Sequence, residues 1–241
     1  MMSNADLTQL LAQCPTFRDL PMAVLEVVLQ AAHRRSVERS AFFFHQGEAA
    51  TTFFVLIQGE AKLTQVTSEG NQMLMRFAGP GQCFGGVAAL SDADYTLSAQ
   101  AVEDCVALTW GGEILAGLME RYPRIALNML EVMAGHYQRL LDRYQELATE
   151  RVEQRVARAV LRLARQAGHK VEGGILIDLP LSREDLAEMT GTTLYTVSRI
   201  LSNWGHQGLV EAGRERVVIR NPHTLVVIAE DLPSNVPSED V

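Results

Sequence analysis

The stretch LSREDLAEMTGTTLYTVSRILSNWGHQGLV, residues 181–210, contains two short helical patterns separated by Gly191. Ser182 with Asp185 three residues later resembles a capping box, which predicts the start of the first helix. Gly191 permits a sharp turn, and Thr192 or Thr193 can cap the second helix. The order of these signals predicts a helix-turn-helix, whose second helix has the length that fits a DNA major groove.

The two predicted helices separate apolar from polar residues. Their inward face consists of Leu186, Ala187, Met189, Val197, Ile200, Leu201 and Trp204. The polar side chains left outside or at the rim suit contacts with phosphates and base edges. The predicted DNA contacts in this stretch are Ser182, Arg183, Thr192, Thr193, Tyr195, Thr196, Ser198 and Arg199.

The residues that follow, GLVEAGRERVVIR at 208–220, have the pattern of a hairpin with Gly213 at its turn. Such a hairpin would form a wing, from which Arg214 and Arg216 could reach phosphates. The alternative is an ordinary pair of helices packed inside a core. The polar exposed face, the basic local charge and the wing together favour DNA binding.

The charge is unevenly distributed along the 241 residues, whose net value is -8. Residues 1–150 have a net charge of -7, whereas residues 151–223 have +3, so the helix-turn-helix lies in the basic part. The stretch AEDLPSNVPSEDV at the end contributes -4 and is rich in Pro and Ser. Its composition predicts a disordered acidic tail.

The first half of the chain changes from helical to strand patterns. Short helical patterns occupy residues 4–33, and strand-length runs follow in FFVLIQGEAKLTQVTSEGNQMLMRFAGPGQCFGG and YTLSAQAVEDCVALTW, up to Trp110. These runs predict hairpins in a β-roll or small barrel. Four glycines that interrupt them are interpreted as turns that need positive φ and not as a phosphate-binding loop: Gly59, Gly70, Gly79 and Gly81.

A helix of about eight turns is predicted after Pro123. Its apolar residues have the alternating spacing of three and four that is typical of a coiled coil, which predicts a parallel homodimer seam. The alternative is a helix packed only on its own β-unit. The spacing begins at Ala126, and the seam residues are Leu130, Met133, Tyr137, Leu140, Tyr144 and Leu147.

The predicted fold class is therefore α+β, in four parts. A β-roll occupies 1–112, and the dimerisation helix occupies 113–150. The winged helix-turn-helix domain occupies 151–223, and the acidic tail occupies 224–241. No run of about 18 apolar residues predicts a membrane span, and the first residues lack the order of a signal peptide, so we expect a cytoplasmic protein.

Residue types that would bind metal are sparse. Cys14, Cys83 and Cys105 are far apart and lack C-x-x-C spacing, which favours free buried thiols over a disulfide framework, a zinc site or a cluster. A cupin-like metal enzyme is one alternative, but it needs a His-x-His pair, and His45 is alone in the strand region. The second alternative is a regulatory module that responds to a cyclic nucleotide and does not bind DNA. That alternative leaves the pattern of residues 180–220 unexplained. We therefore expect a regulator and not an enzyme.

Several motifs, in this order, resemble the Crp/Fnr superfamily over nearly the whole chain. They are HQGE at 45–48, FFVLIQGEAKL at 53–63, GPGQCFGG at 79–86, the long helix, RVARAVLRLA at 155–164 and TVSRIL at 196–201. The resemblance implies a cyclic-nucleotide-binding-like β-roll that senses a signal. It also implies a homodimeric transcription factor that binds palindromic double-stranded DNA, with RNA polymerase as a further partner.

The sequence departs from the family pattern where the signal is bound. Cyclic-AMP binders have an acidic residue for the ribose and an Arg-Ser pair for the phosphate, and those positions correspond to Gly86, Tyr95 and Thr96. Their polar pair for the adenine corresponds to Leu140 and Leu141. An anion without its guanidinium partner loses a strong bidentate contact, so we expect an effector other than cyclic AMP. The resemblance places the effector pocket at Phe84, Gly85, Gly86, Tyr95, Thr96, Tyr137, Leu140 and Leu141.

Other branches of the superfamily use an iron-sulfur cluster or haem as a cofactor. The oxygen-sensing branch uses clustered cysteines near the N-terminus, and only Cys14 lies there, which argues against an iron-sulfur cluster. The stretch YTLSAQAVEDC resembles the branch that controls denitrification, for which haem is the proposed sensor, so haem stays an alternative. The six histidines, at 33, 45, 136, 169, 206 and 223, form no pair at ligand spacing, and His136 on the long helix is the one that could face the pocket.

Overall fold

The computed structural model describes residues 2–91, 93–213 and 216–232, without the side chain of Val87. The chain divides into two compact units, residues 1–140 and 141–241.

The first unit begins with two helices and continues as a roll of short strands. Ser3 caps the first helix through a capping box with Asp6. The elements of this unit, up to the long helix, are α1 (Asn4–Gln13), α2 (Met22–Gln30), β1 (His33–Val37), β2 (Phe42–Phe44), β3 (Thr52–Gln58), β4 (Ala61–Val66), β5 (Gln72–Ala78), β6 (Cys83–Phe84), α3 (Gly86–Ala89), β7 (Ser98–Ala101), β8 (Cys105–Gly111), α4 (Gly112–Arg121) and α5 (Arg124–Thr149).

The strands form two antiparallel four-stranded sheets, with the orders β1-β8-β3-β6 and β2-β7-β4-β5. Aromatic side chains fill the core of the roll, and Phe54 and Phe84 stack there with ring centroids 5.2 Å apart. A second core lies under α1 and α2, where Trp110 is fully buried and its indole N–H donates to the Val28 carbonyl at 2.9 Å. The observed roll agrees with the predicted one.

The glycines between the strands differ from the prediction in two respects. Gly70 joins the paired strands β4 and β5 as a hairpin, but Gly59 connects β3 to β4 in the other sheet, because successive strands here belong to opposite sides of the roll. Gly59, Gly70 and Gly81 have φ near +80°, as predicted. Gly79 does not have a positive φ, and the nearest atom to an added Cβ would be an oxygen at the end of the flexible Glu60 side chain, 2.5 Å away.

The long helix α5 starts directly after Pro123, as predicted, and spans 26 residues. In the single chain its first turns contribute Ile125 and Met129 to the core. Most of its remaining apolar side chains are exposed, Tyr144 to 72%. These exposed residues are Leu127, Leu130, Met133, Tyr137, Leu140, Leu141, Tyr144 and Leu147.

The second unit combines helices with a four-stranded sheet of order β11-β12-β10-β9. The β9–β10 hairpin was not predicted from the sequence. The elements of this unit after the long helix are α6 (Val152–Ala167), β9 (Gly168–Val171), β10 (Gly174–Ile177), α7 (Arg183–Thr190), α8 (Leu194–His206), β11 (Val210–Ala212), β12 (Val217–Ile219) and α9 (Pro222–Ala229).

Helix α9 contradicts part of the predicted disordered tail at 224–241. Leu225 is fully buried on it, and Arg158 of α6 holds Glu230 just after it, with nitrogen–oxygen distances of 3.0 and 3.3 Å. The apolar run TLVVIA, capped by Asn221, outweighs the acidic residues that follow it. Residues 233–241 of the predicted tail lie outside the described residues.

Candidate nucleic-acid interface and effector site

Helix α7 begins at the predicted capping box. The Ser182 hydroxyl accepts from the Asp185 N–H at 3.0 Å, and the Asp185 carboxylate accepts from the Ser182 N–H at 2.9 Å. The helix ends at Gly191, which has φ +60° and donates its N–H to the Ala187 carbonyl. The turn between the two helices therefore depends on a residue without a side chain, as the sequence predicts.

Two arginines bind the carbonyls at the end of α7. The Arg155 guanidinium donates to the Thr190 carbonyl at 3.0 Å, and Arg143 donates to the Met189 carbonyl at 3.2 Å. Cations suit this position because the last carbonyls of a helix are unpaired and carry partial negative charge. Sequence reasoning missed both arginines, because they lie on other helices and no local pattern connects them with the turn.

Helix α8 has the predicted cap and inward face. The Thr193 hydroxyl accepts from the Thr196 N–H at 3.2 Å, which selects Thr193 over Thr192 as the capping residue. Val197, Ile200, Leu201 and Trp204 are buried, and on α7 Leu186 and Ala187 are buried while Met189 is half-buried. The Trp204 indole N–H donates to the Glu153 carboxylate of α6 at 2.9 Å. The second helix is thus fixed on its apolar side.

The opposite side of α8 is polar and accessible. Tyr195 is 77% exposed, and Thr193 and Arg199 are exposed as well. The remaining predicted contacts are half-buried at the rim, namely Ser182, Arg183, Thr192, Thr196 and Ser198. This face presents hydroxyls, a phenol and a guanidinium, which are the groups that donate to base edges and phosphates.

The predicted wing is present as the β11–β12 hairpin. The Gly213 N–H donates to the Arg216 carbonyl at 2.7 Å across the turn, and the Arg216 side chain is exposed. Arg214, the other predicted phosphate contact, lies outside the described residues. Arg220 is engaged within the unit, because it donates to the Glu172 carbonyl at 2.6 Å and pairs with Glu211.

The predicted effector position in the roll is occupied by side chains. Tyr95 is buried and stacks on Phe44, with ring centroids 3.7 Å apart. Its hydroxyl donates to the Thr52 carbonyl at 2.9 Å and accepts from the Thr52 N–H at 3.1 Å. Burial raises the pKa of this phenol, so it stays neutral. Tyr95 therefore completes the core of the roll and has its hydrogen bonds satisfied.

The other predicted effector residues divide between the core and the surface. Phe84 and Gly86 are buried, and a Cβ on Gly86 would lie 2.6 Å from the Phe53 ring. Gly85 has φ +81°, and Thr96 is exposed. Tyr137, Leu140 and Leu141 are exposed on α5. A carboxylate in place of Gly86 would therefore require the roll to rearrange.

Groups that could bind metal or haem are limited in the described residues. His136 is kept neutral, because desolvation and the charges of Arg76 and Arg139 lower its pKa to about 4. Within residues 2–91, 93–213 and 216–232, no three His, Cys, Asp or Glu side chains come together as a metal site.

Among the helices of those residues, none has the length and apolar character needed to span a bilayer.

Comparisons with known proteins match both units. The model of the cyclic nucleotide-binding domain matches residues 34–122, and that of the Crp-like helix-turn-helix domain matches residues 154–228. The chain is 28% identical over 215 residues to the cyclic AMP receptor protein of Thermus thermophilus, covering 89% of this chain and 96% of that protein.

Two further relatives carry the name FixK. The nitrogen fixation regulation protein FixK of Azorhizobium caulinodans is 25% identical over 189 residues, covering 78% of this chain and 75% of that protein. The solved structure of FixK2 from Bradyrhizobium japonicum is 26% identical, with a TM-score of 0.72, covering 82% of this chain and 96% of that one.

The two matched domains define a DNA-binding transcription regulator with an effector-binding domain. The chain belongs to the Crp/Fnr family of transcriptional regulators. Its relatives are regulators and not enzymes, which removes the cupin-like alternative. They include a cyclic AMP receptor protein, FixK proteins and global nitrogen regulators, so they single out no branch of the family.

Proposed function

We propose that this regulator binds palindromic DNA as a homodimer and that α8 reads base edges in the major groove. The observation that carries the proposal is the exposed polar face of α8, which has Tyr195, Ser198 and Arg199 on the side opposite the buried Trp204. Arg199 can donate two hydrogen bonds to guanine O6 and N7. Arg216 in the wing and Arg183 at the start of α7 supply positive charge for phosphates.

The apolar stripe on α5 supports the homodimer. Leu130 and Tyr137 are 61% and 63% exposed in the single chain, and the other seam residues of the same stripe are exposed too. A row of large apolar side chains at a/d spacing exposed to water is unfavourable, and a second copy of α5 in parallel would bury it. Two copies related by a two-fold axis would present two α8 helices, which matches a palindromic site.

The effector that we propose is a small molecule or a redox or gas signal other than cyclic AMP. Three features support this. Tyr95 fills the position in the roll where cyclic-AMP binders have the arginine that pairs with the phosphate. Gly86 has no room for the carboxylate that would bind the ribose. The side chains of Leu140 and Leu141 have no polar atoms to contact the adenine base. A cyclic phosphate without a guanidinium would be desolvated at a cost of several kcal/mol. RNA polymerase as a partner and a cytoplasmic location belong to the same proposal.

Selection of binding sites from random DNA duplexes with the full chain tests the proposal. We expect two inverted half-sites whose centres are about one helical turn, roughly 10 base pairs, apart. The affinity should fall steeply with salt, because cations on the protein displace counterions from phosphates. Failure to enrich any sequence would contradict DNA reading by α8, and enrichment of a single half-site by a monomer would contradict the dimer.

A further inference from the structure

The last two turns of α5 pack against helix α6 within the second unit. Two of their carboxylates are largely buried, since the side chains of Glu146 and Glu150 are 13% and 16% exposed. Glu146 pairs with Arg162 of α6, and the Glu150 carboxylate lies 2.8 Å from Nε of Arg158. Ion pairs of this kind are costly to break, because the partner that remains is an unpaired charge away from water. These pairs therefore fix the end of α5 on α6.

One arginine of α6 lies between the ends of two helices. Nε of Arg155 donates to the Thr190 carbonyl at the end of α7, 3.0 Å away, and its Nη1 donates to the Glu150 carbonyl just after α5, 2.8 Å away. Carbonyls at a helix C-terminus lack helical partners and carry partial negative charge, so a cation between two such ends stabilises both. The planar guanidinium also fixes the direction of its hydrogen bonds. Arg155 therefore joins the end of α5 to the end of α7.

The same face of α5 contacts the turn of the helix-turn-helix directly. Nη2 of Arg143 donates to the carbonyl of Met189, the last residue but one of α7, at 3.2 Å. Burial lowers the pKa of Arg143, and the charge of Arg162 adds to this, but an arginine remains protonated in proteins. Gly191 lies against Leu147, whose Cδ2 would be 2.9 Å from an added Cβ. The turn that leads into α8 is therefore held on α5 by one polar and one apolar contact.

These contacts bear on the separation of two reading helices. Helix α8 begins at Leu194, three residues after Gly191, and the Trp204 indole holds its apolar side on α6 through Glu153. In the proposed homodimer the two copies of α5 form the seam, so the direction in which each α8 leaves the end of α5 decides where it meets DNA. One base pair added between half-sites moves them apart by about 3.4 Å and rotates them by about 34°. A fixed direction of α8 therefore selects one spacing.

We propose that Arg155 and Arg143 are positioning residues that set the spacing between the two half-sites. They hold the end of α7 on the end of α5, so that the two α8 helices of a dimer are presented at one separation and one rotation. Both arginines act on DNA through α7 and the turn at Gly191. The proposal rests on the homodimer and the palindromic binding proposed above.

A purely structural role for the two arginines predicts a different result. If they only stabilised the second unit, their loss would weaken binding to every spacing by the same factor. Loss of a positioning residue instead weakens binding at the preferred spacing most, because an α7–α8 pair that moves on α5 can adapt to the other spacings. The ratio of affinities between spacings therefore separates the two roles, whereas the affinity for one site does not.

Titration of the full chain with duplexes that carry two selected half-sites measures this ratio, with the spacer shortened or lengthened by one base pair. The parent chain should lose at least about tenfold in affinity for either change. Arg143→Gln with Arg155→Gln should reduce that loss to less than about threefold and leave the half-site motif unchanged. Arg165→Gln, which removes an exposed arginine of α6, is the matched control and should keep the parent ratio. Arg155→Lys should retain more of the ratio than Arg155→Gln, because an ammonium still donates to carbonyls.

A second measurement needs neither DNA nor a dimer. Nitroxide labels on ketone-bearing residues introduced at Gln145 and Ser202, both exposed, report the distance between α5 and α8 in a chain diluted with unlabelled chain. Pulsed electron paramagnetic resonance should find one narrow distance distribution in the parent and one at least about twofold wider in the double variant. Arg143→Gln alone, a milder change, should give an intermediate width and keeps the test decisive if the double variant does not fold.

The possible outcomes distinguish this inference from the proposed function. An unchanged distance distribution in the variants overturns the inference, as does an equal loss of affinity at every spacing. A parent chain that binds palindromes regardless of spacing overturns this inference alone. A parent chain that binds no duplex contradicts the proposed function, and this inference with it.

Discussion

Tyr95 stacks on Phe44 with ring centroids 3.7 Å apart and an angle of 16° between the planes, and both rings are buried in the β-roll. A tyrosine that is buried, stacked and fully hydrogen-bonded is part of the core and not a vacant ligand contact. Tyr95→Ala should therefore lower the free energy of unfolding by about 3–5 kcal/mol, the range found for removing a large buried side chain. Calorimetric unfolding measures this change.

The matched control for that substitution is Tyr195→Ala, since Tyr195 is 77% exposed. It should change the free energy of unfolding by less than about 0.5 kcal/mol. Equal effects of the two substitutions would contradict the assignment of Tyr95 to the core.

Tyr95→Arg alone should not create cyclic AMP binding, because Gly86, Leu140 and Leu141 still lack the ribose and base contacts. Micromolar binding to the parent chain or to this variant by titration calorimetry would refute our proposal about the effector.

The apolar stripe on α5 gives a prediction about assembly. Leu130→Lys with Tyr137→Lys should make the protein monomeric, because the seam would bury unpaired charges at a cost of several kcal/mol. Both side chains are exposed in the single chain, so the protomer should remain folded. Sedimentation measures the state of assembly. Gln145→Lys, an exposed position off the stripe, should leave the dimer intact; a dimer that survives the double substitution would show that the seam lies elsewhere.

Gly191 and Gly205 test the turn between α7 and α8. Gly191 has φ +60°, and an added Cβ would lie 2.9 Å from the Leu147 side chain. Gly191→Ala should destabilise the second unit by at least about 1–2 kcal/mol, the cost of a left-handed backbone for an L-residue. Gly205 lies within α8, where the atom nearest to an added Cβ is 3.8 Å away, so Gly205→Ala should stabilise by about 0.5–1 kcal/mol. Thermal unfolding of both variants decides this, and a stabilising Gly191→Ala would refute the strained turn.

Local signals made part of this structure predictable. The capping box at Ser182, the turn at Gly191 and the apolar face of α8 each depend on residues within one or two helical turns, so their spacing is visible in the sequence. The stripe on α5 was visible for the same reason. Short-range periodicity therefore predicted the helix-turn-helix and the position of its exposed face.

Features that depend on pairing between distant parts of the chain could not be predicted from the sequence. Strand lengths do not reveal that β3 and β4 belong to different sheets, because pairing depends on partners elsewhere in the chain. The same holds for Arg143 and Arg155 at the end of α7, which lie on other helices. Tyr95 was identified as a departure from the family pattern, but its stacking on Phe44 required the structure.

Site selection with substituted chains tests most directly whether the exposed face of α8 reads DNA. Arg199→Ala should weaken binding by about 1–3 kcal/mol and relax the selected motif at one base pair of each half-site. Arg216→Ala in the wing should weaken all sequences about equally and leave the motif unchanged, as loss of a phosphate contact does. Arg165→Ala, an exposed arginine on α6, is the control for the loss of charge alone and should also leave the motif unchanged. If Arg199→Ala leaves the selected motif intact while Arg216→Ala alters it, α8 is not the reading helix and the account is contradicted.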